Sequence, residues 1–162
     1  MKRGNFLTFS TPERKETFSG VVLNYNEKWV LIRRCVDYRL DGYTVFENTK
    51  KIGYVSGEHE KMTASILKKK RYNYAKDASI PIQSIDAILR FITKKYILLQ
   101  LDSKDGDSFD VVKFIEKKDA LFIFHELTSK AKWRYRLKLP SEDLTCISFD
   151  NDYLNSLKLL IK

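Results

Sequence analysis

The sequence predicts a mostly β protein with short helices, built as two tandem small barrels of bent strands, each followed by a helix. Three observations support this fold class. Short β-prone runs recur along both halves of the chain. No crossover helices stand between these runs, so a parallel sheet is excluded. Segments 52–59 and 144–151 each run from an apolar strand end into an acidic helix start, which indicates an internal repeat.

Composition limits the class of protein. The chain has 162 residues, of which 43% are hydrophobic and 13% aromatic, and this is enough to bury a core. No apolar run approaches the ~20 residues of a membrane span, so we expect no membrane association. Cys35 and Cys146 lie in different strand-like segments. We therefore expect two reduced thiols and a cytoplasmic setting.

The chain divides into an N-terminal segment at 1–16, a first barrel copy with its helix at 17–71, a linker at 72–81 and a second copy with its helix at 82–162. The first copy contains β-prone runs at 17–25, 29–36, 43–47 and 51–55. Asp41-Gly42 predicts the turn between the second and third runs, because glycine takes positive φ at little cost. Ser56 is the predicted N-cap of the helix, with Glu58 and Glu60 in its first turn.

The second copy contains predicted strands at 88–92, 96–101, 109–116, 121–127 and 133–139. Asp105-Gly106 predicts a tight turn between two of them. Asp150 or Asn151 is the predicted cap of a short final helix. The apolar face of that helix includes Leu154, Leu157 and Ile161.

Two stretches resemble the Sm-like and SH3-like group of small barrels. Phe18-x-Gly20-x-Val22 followed by Trp29-Val30-Leu31 resembles the first two bent strands, with Gly20 where the backbone must curve. Leu144-Thr145-Cys146-Ile147 resembles the closing strand. The resemblance implies a small-barrel fold. The chain has neither an Ile-Arg-Gly-like loop nor the paired Asp and Asn of Sm proteins, so their uridine pocket and ring assembly are not implied.

The net charge is +9, and it is unevenly distributed. Residues 1–80 carry 16 Lys and Arg against 9 Asp and Glu, a balance of +7. Residues 81–162 carry 14 against 12, a balance of +2. A positive balance is compatible with a polyanionic partner, and it also favours solubility by itself.

The first candidate binding cluster consists of Lys68, Lys69, Lys70 and Arg71. Tyr72 and Tyr74 follow it, so cations stand beside rings that could stack on bases. The alternative is a solvated helix end, where cations favour the C-terminal dipole.

The second candidate cluster is an alternating strand from Trp133 to Leu139. Period-2 alternation predicts that Trp133, Tyr135, Leu137 and Leu139 share one face. The opposite face then carries Lys132, Arg134, Arg136 and Lys138. The alternative is an ordinary half-exposed strand with edge lysines.

A third set of cations flanks a polar turn. Arg33, Arg34 and Arg39 stand on either side of it, and the turn carries Asp37, Tyr38, Asp41 and Tyr43. These residues could form a recognition loop. They could equally form a structural corner, with Asp accepting backbone hydrogen bonds and a Tyr hydroxyl holding the chain.

No motif predicts catalysis, a cofactor or a metal site. His59 and His125 stand alone, with neither Cys nor a second His at ligand spacing. We therefore expect a non-enzymatic binding module whose ligand is RNA or another single-stranded nucleic acid. The alternative is a protein-interaction or assembly module, because small barrels serve both purposes.

Overall fold

The computed structural model describes residues 1–11, 14, 16–72, 77, 79–102 and 108–161. The strands are β1 Phe6–Ser10, β2 Phe18–Tyr25, β3 Trp29–Val36, β4 Arg39–Glu47, β5 Gly53–Val55, β6 Leu99–Asp102, β7 Phe109–Lys118, β8 Leu121–Leu127, β9 Trp133–Pro140 and β10 Cys146–Phe149. The α-helices in these ranges are α1 Glu58–Lys69, α2 Ile85–Lys95 and α3 Asp152–Lys158. A 3-10 turn at Ser141–Asp143 precedes β10. The prediction of a mostly β protein with short helices is confirmed.

All ten strands form one open antiparallel sheet in the order β5-β1-β2-β3-β4-β10-β6-β7-β8-β9. The sheet is continuous because β10 pairs with β4 on one side and β6 on the other. This order does not show two separate barrels. The predicted domain boundaries stay predictions.

The sheet repeats its own strand order. The first half, β1 to β5, reads β5-β1-β2-β3-β4, and the second half, β6 to β10, reads β10-β6-β7-β8-β9. The β-bulges repeat as well. Leu23 is the extra residue of β2 against β3, and Ile115 is the extra residue of β7 against β8. The fourth strand of each half also carries an extra residue, opposite Arg34 in β3 and Glu126 in β8. The two halves therefore correspond residue by residue.

The segments that indicated the repeat occupy equivalent places. Each is a short strand followed by a helix, β5 before α1 and β10 before α3. The N-caps are Gly57 and Asn151, so the predicted cap at Ser56 is wrong by one residue. Glu60 explains the shift, because its side chain accepts a hydrogen bond from the N–H of Gly57 at 2.8 Å. Asn151 caps α3 through the N–H of Leu154 at 2.8 Å.

The predicted strand at 88–92 is wrong, since these residues lie within α2. The buried residues of α2 are Ile85, Ile88, Leu89 and Ile92, which follow the helical period. Ser84 caps the helix by accepting a hydrogen bond from the N–H of Ala87 at 3.2 Å. A short run of β-branched residues suits a strand or a buried helix equally, and here the cap and the packing select the helix.

The turn predicted at Asp41-Gly42 is also misplaced. The chain reverses at Asp37 and Tyr38, which both have positive φ, as a two-residue hairpin loop requires. Gly42 instead lies in the bulge of β4 at φ +67°. A Cβ atom at Gly42 would lie 2.6 Å from the backbone N of Asn151 and from the carbonyl O of Phe149. Glycine is needed there because two backbones approach closely, not because the chain turns.

The largest hydrophobic cluster joins the two halves. Helix α2 supplies Ile88, Leu89 and Ile92, which pack with Trp29 of the first half and Phe124 of the second. The cysteines are buried and free. Within the described ranges, none of the helices is both long and apolar enough to cross a membrane. The predicted turn at Asp105-Gly106 lies outside the described residues.

Candidate nucleic-acid interface

Three polar side chains form a row across the second half of the sheet. Lys113 of β7 lies opposite His125 of β8, and His125 lies opposite Arg136 of β9. Directly opposed residues share a face, with Cβ atoms about 5 Å apart. Arg136 is exposed, and Lys113 and His125 are half-buried. We call these three residues the basic row.

Trp133 lies on the same face as the basic row. Its ring stacks on the ring of His125, with centroids 4.7 Å apart and planes 25° apart. Because of the bulge in β9, Trp133 pairs with Leu127, two residues from the partner of Arg136. The prediction that Trp133 and Arg136 face opposite sides is therefore wrong. Strict alternation failed because one extra residue inverts the period-2 pattern beyond it.

A cavity of about 390 Å³ adjoins this face. Its lining includes Lys113, His125 and Trp133, together with Lys158 from the last turn of α3. The remaining walls are apolar and consist of Ile97, Ile115 and Ile161. A concave site lined by cations and an aromatic ring suits a ligand that combines phosphate with a flat base.

A second cavity, of about 720 Å³, shares Trp133 as a wall. Phe109 and Tyr153 pack edge to face beside it, with ring centroids 5.9 Å apart. Asp110 and Glu126 also line it, and burial together with the charge of Glu126 raises the pKa of Asp110. Lys130, Lys132 and Arg134 line it as well, so this cavity combines carboxylates, cations and aromatic rings.

The four cations of the second predicted cluster are all exposed, but they differ in environment. Arg134 lies in the bulge, and its Nη1 is 3.7 Å from Oε1 of Glu126. Arg136 and Lys138 lie beyond the bulge, opposite His125 and Ile123. Lys132 precedes the strand, and its backbone N–H donates to Oγ1 of Thr128 at 3.1 Å. Tyr135, which lies in the same bulge, is 61% exposed.

The structure brings the first and third predicted clusters together at one point. Lys70, at the end of α1, donates from Nζ to the carbonyl O of Tyr38 in the hairpin loop at 2.6 Å. This places the α1 end beside the turn that carries Asp37 and Arg39. The residues Lys68, Lys69, Lys70, Arg71, Tyr72, Asp37, Tyr38 and Arg39 are all exposed. Tyr74 lies outside the described residues.

Other members of the third set are held within the fold. The Arg33 guanidinium lies 4.1 Å from the ring centroid of Tyr43, its cross-strand partner. Burial lowers the pKa of Arg34 to about 10, and its guanidinium lies over Phe18. Asp41 accepts a hydrogen bond from the N–H of Asp152 at 2.8 Å. The Asp41 contact is of the kind that the structural-corner alternative describes, since a carboxylate there accepts a backbone hydrogen bond.

Tyr43 is buried, and its hydroxyl donates to Oδ1 of Asp77 at 2.6 Å. Burial, and secondly the hydrogen bond to Asp77, raise the pKa of Tyr43 well above its ordinary value. Its ring stacks on Phe149 of β10, with centroids 5.1 Å apart. Tyr43 therefore belongs to the junction between the halves.

Sequence reasoning did not select Lys113, His125 or Lys158 as binding residues. Cross-strand neighbours could have been found by pairing 109–116 with 121–127, but the bulge at Ile115 shifts that register. Among the described residues, no group of three His, Cys, Asp or Glu side chains is placed to hold a metal ion.

Comparison with known proteins adds no name to this site. No protein family matches the chain, no curated protein matches it, and no solved structure resembles it significantly.

Proposed function

We propose that the protein binds RNA or another single-stranded nucleic acid on the face formed by β7, β8 and β9. The observation that carries this proposal is the basic row beside the stacked ring of Trp133. Cations supply sequence-independent attraction to phosphates, and an aromatic ring that lines a cavity supplies stacking to any base. The net charge of +9 favours association with a polyanion.

The cavity next to the row supports a single strand over a duplex. Its volume of about 390 Å³, with three isoleucines in its lining, is large enough for a flat base that has left a stack. A paired base could not enter without unstacking, which costs a few kcal/mol. In this arrangement Arg136 and Lys158 bind phosphates, and Trp133 stacks on the base.

The test measures binding of a fluorescent single-stranded oligonucleotide by anisotropy at several salt concentrations. We expect Arg136→Glu to weaken binding at least tenfold at low salt and to reduce the slope of log K against log salt by about one. Lys61→Glu, on an exposed position of α1, is the control with the same change in net charge. Equal weakening by both variants would refute a site at the basic row.

Trp133 provides a second, independent readout. Its replacement by Leu keeps an apolar side chain but removes the ring, and a stacked base is worth about 1–3 kcal/mol. We therefore expect weaker binding with an unchanged salt slope. Unchanged affinity would show that Trp133 does not stack on a base of the bound strand.

A protein partner is the second candidate function. Strand β5 favours it, because Tyr54 is 52% exposed and Val55 is 59% exposed on a strand at the edge of the sheet. An apolar sheet edge is a surface to which another chain can add a strand. Association that persists after nuclease treatment would support this candidate.

We also infer that the two halves are copies of one five-stranded unit that followed the small-barrel pattern before they joined. The shared strand order and the matching bulges support this. Separate expression of residues 82–162 tests it. A cooperative unfolding transition would support an autonomous copy, and a chain without one would show that the halves fold only together.

A further inference from the structure

The two ends of the sheet are β5 and β9, and within the described residues neither has a partner on its outer side. These two strands are also the equivalents of β4 and β10, which pair where the two halves of the sheet join. By strand order, β9 corresponds to β4 and β5 corresponds to β10. The chain therefore already contains one junction of the kind that its two open edges could form with each other.

We propose that a second copy of this chain adds its β5 to β9, head to tail and antiparallel, as β10 adds to β4 within one chain. The contact is heterologous, since the two edges differ. Such contacts either close into a ring or continue as a chain of copies.

The internal junction specifies the register of the contact. Thr44 of β4 pairs with Ser148 of β10. Leu137 is the equivalent of Thr44. Thr44 pairs with Ile32, Leu137 pairs with Phe124, and Ile32 and Phe124 occupy equivalent positions in the two halves.

The equivalent of Ser148 follows from the first strand of each half. Ser148 pairs with Gln100, and Val55 pairs with Thr8, which holds the same place in β1. Leu137 of one copy therefore lies opposite Val55 of the next. One residue further, Lys138 lies opposite Tyr54.

Side-chain exposure at β5 supports the proposal. Ile147 and Ser148 of β10 are 0% and 5% exposed, whereas their equivalents Tyr54 and Val55 are 52% and 59% exposed. Pairing would cover this apolar surface, which is the main favourable term in association. It would also bring the Lys138 ammonium close to the Tyr54 ring, an attractive cation–π arrangement.

The proposed pairing of β5 with β9 between two copies is expected to be weaker than the pairing of β10 with β4 within one chain. Strand β5 has only three residues, and Pro140 stands where Glu47 donates its N–H to the carbonyl O of Thr145 at 2.9 Å. Proline has no N–H to donate. Short strands, lysine and proline are also devices that protect edges from pairing. A protected edge predicts a monomer at every concentration, which is the outcome that opposes the proposal.

Cysteine cross-linking tests the contact and its register with nuclease-treated full-length protein. Two variants, Val55→Cys and Leu137→Cys, are oxidised separately and as a mixture. We expect a disulfide-linked dimer in the mixture and little in either variant alone, since the native cysteines are buried. Linking of each variant to itself would show an isologous contact and overturn the proposal, and so would the absence of any linked dimer in the mixture.

If Leu137→Cys lowers the thermal midpoint, the exposed pair Tyr54→Cys and Lys138→Cys replaces it. The same outcomes apply to this pair. Both positions lie at the sheet edge, so loss of folding does not confuse the result.

Sedimentation velocity over rising protein concentration provides the second test. We expect reversible association of the native chain. Tyr54→Lys places a lysine opposite Lys138 and should abolish that association, because like charges directly opposite each other repel. Adding Lys138→Glu to the same chain should restore it. A native chain that stays monomeric throughout, or association unaffected by Tyr54→Lys, would overturn the proposal.

Discussion

Two equivalent rows of side chains, one in each half of the sheet, differ in burial. In the first half, Val21, Arg33 and Tyr43 lie across β2, β3 and β4. In the second half the same positions are the basic row. Val21 and Tyr43 are buried, whereas the basic row reaches the surface.

The difference follows from what covers each row. Val21 and Tyr43 of the first row pack in the cluster that includes helix α2, and Phe149 of β10 stacks on Tyr43. The second row borders an open cavity that α3 covers only in part. One backbone pattern therefore supports a junction where it is covered and a candidate binding face where it is open. Function is expected where the two halves differ.

The largest expected effect breaks the junction between the halves. Gly42→Ala places a Cβ atom 2.6 Å from two backbone atoms of the segment 149–151, at a positive φ. The left-handed conformation and the collision together should lower the free energy of unfolding by about 3 kcal/mol or more. Chemical denaturation monitored by circular dichroism measures this.

Gly4→Ala is the matched control. Gly4 also has positive φ, at +83°, but nothing lies within 4 Å of an added Cβ. We expect a loss of only about 1–2 kcal/mol, from conformation alone. Equal losses for the two variants would mean that close approach at the junction contributes nothing.

The second prediction concerns a buried ion pair that joins the N-terminal segment to the second half. Arg14 pairs through Nε with Oδ2 of Asp102 in β6, and Asp102 is almost fully buried. Asp102→Asn leaves a largely buried guanidinium without its counter-charge. We expect a loss of about 2–3 kcal/mol, somewhat below the usual range for a fully buried pair, since Arg14 retains some exposure.

Asp86→Asn is the control for this pair. Asp86 pairs with Arg90 on the surface of α2 at 2.8 Å. Surface pairs contribute about 0–1 kcal/mol, so thermal unfolding should change little. A loss at Asp102 as small as that at Asp86 would contradict a structural role for the buried pair.

The third prediction separates the two rows. Arg33→Ala removes a cation from the ring of Tyr43 and should cost about 1 kcal/mol of stability, with nucleic-acid affinity unchanged. Arg136→Ala should change stability by less than about 0.5 kcal/mol while it weakens binding. Denaturation and anisotropy measurements on both variants test this. Weaker binding by Arg33→Ala, together with lower stability of Arg136→Ala, would contradict the prediction.

The smallest expected effect is a contrast in pH dependence. Hydrogen bonds from the Thr8 hydroxyl and the Gly57 N–H lower the pKa of Glu60 in the first half. Its stabilising contribution is therefore present above the unfolded pKa and lost as pH falls through the folded pKa. Glu60→Gln should lower the thermal midpoint at neutral pH and reduce its fall in acid.

Asp110, in the second half, should behave in the opposite way. Its pKa is raised by burial and then by Glu126, so stability is greatest below the unfolded pKa and declines as pH rises through the folded pKa. Asp110→Asn should therefore raise the midpoint at neutral pH, with no gain in acid. Identical pH profiles for the two variants would contradict the contrast.

Much of the strand layout was predictable from local sequence. The run 29–36 coincides with β3 and 121–127 with β8, because dense β-branched and aromatic residues bounded by turn residues specify a strand locally. The helix at 88–92 was missed, because an apolar run this short does not distinguish helix from strand. The candidate binding face was predicted only in part. Arg136 and Lys138 were included, but their neighbours on β7 and α3 were not.

The sequence by itself determined the strand-rich fold, the repeated strand-and-helix segments and the positive balance of charge. These properties depend on residue type and short-range spacing. The tertiary structure decided which equivalent row is buried, where the bulges invert the alternation of β9, and that β10 joins the two halves into one sheet. Burial and the pairing of strands that are distant in sequence depend on contacts across the whole fold, which short-range patterns do not specify.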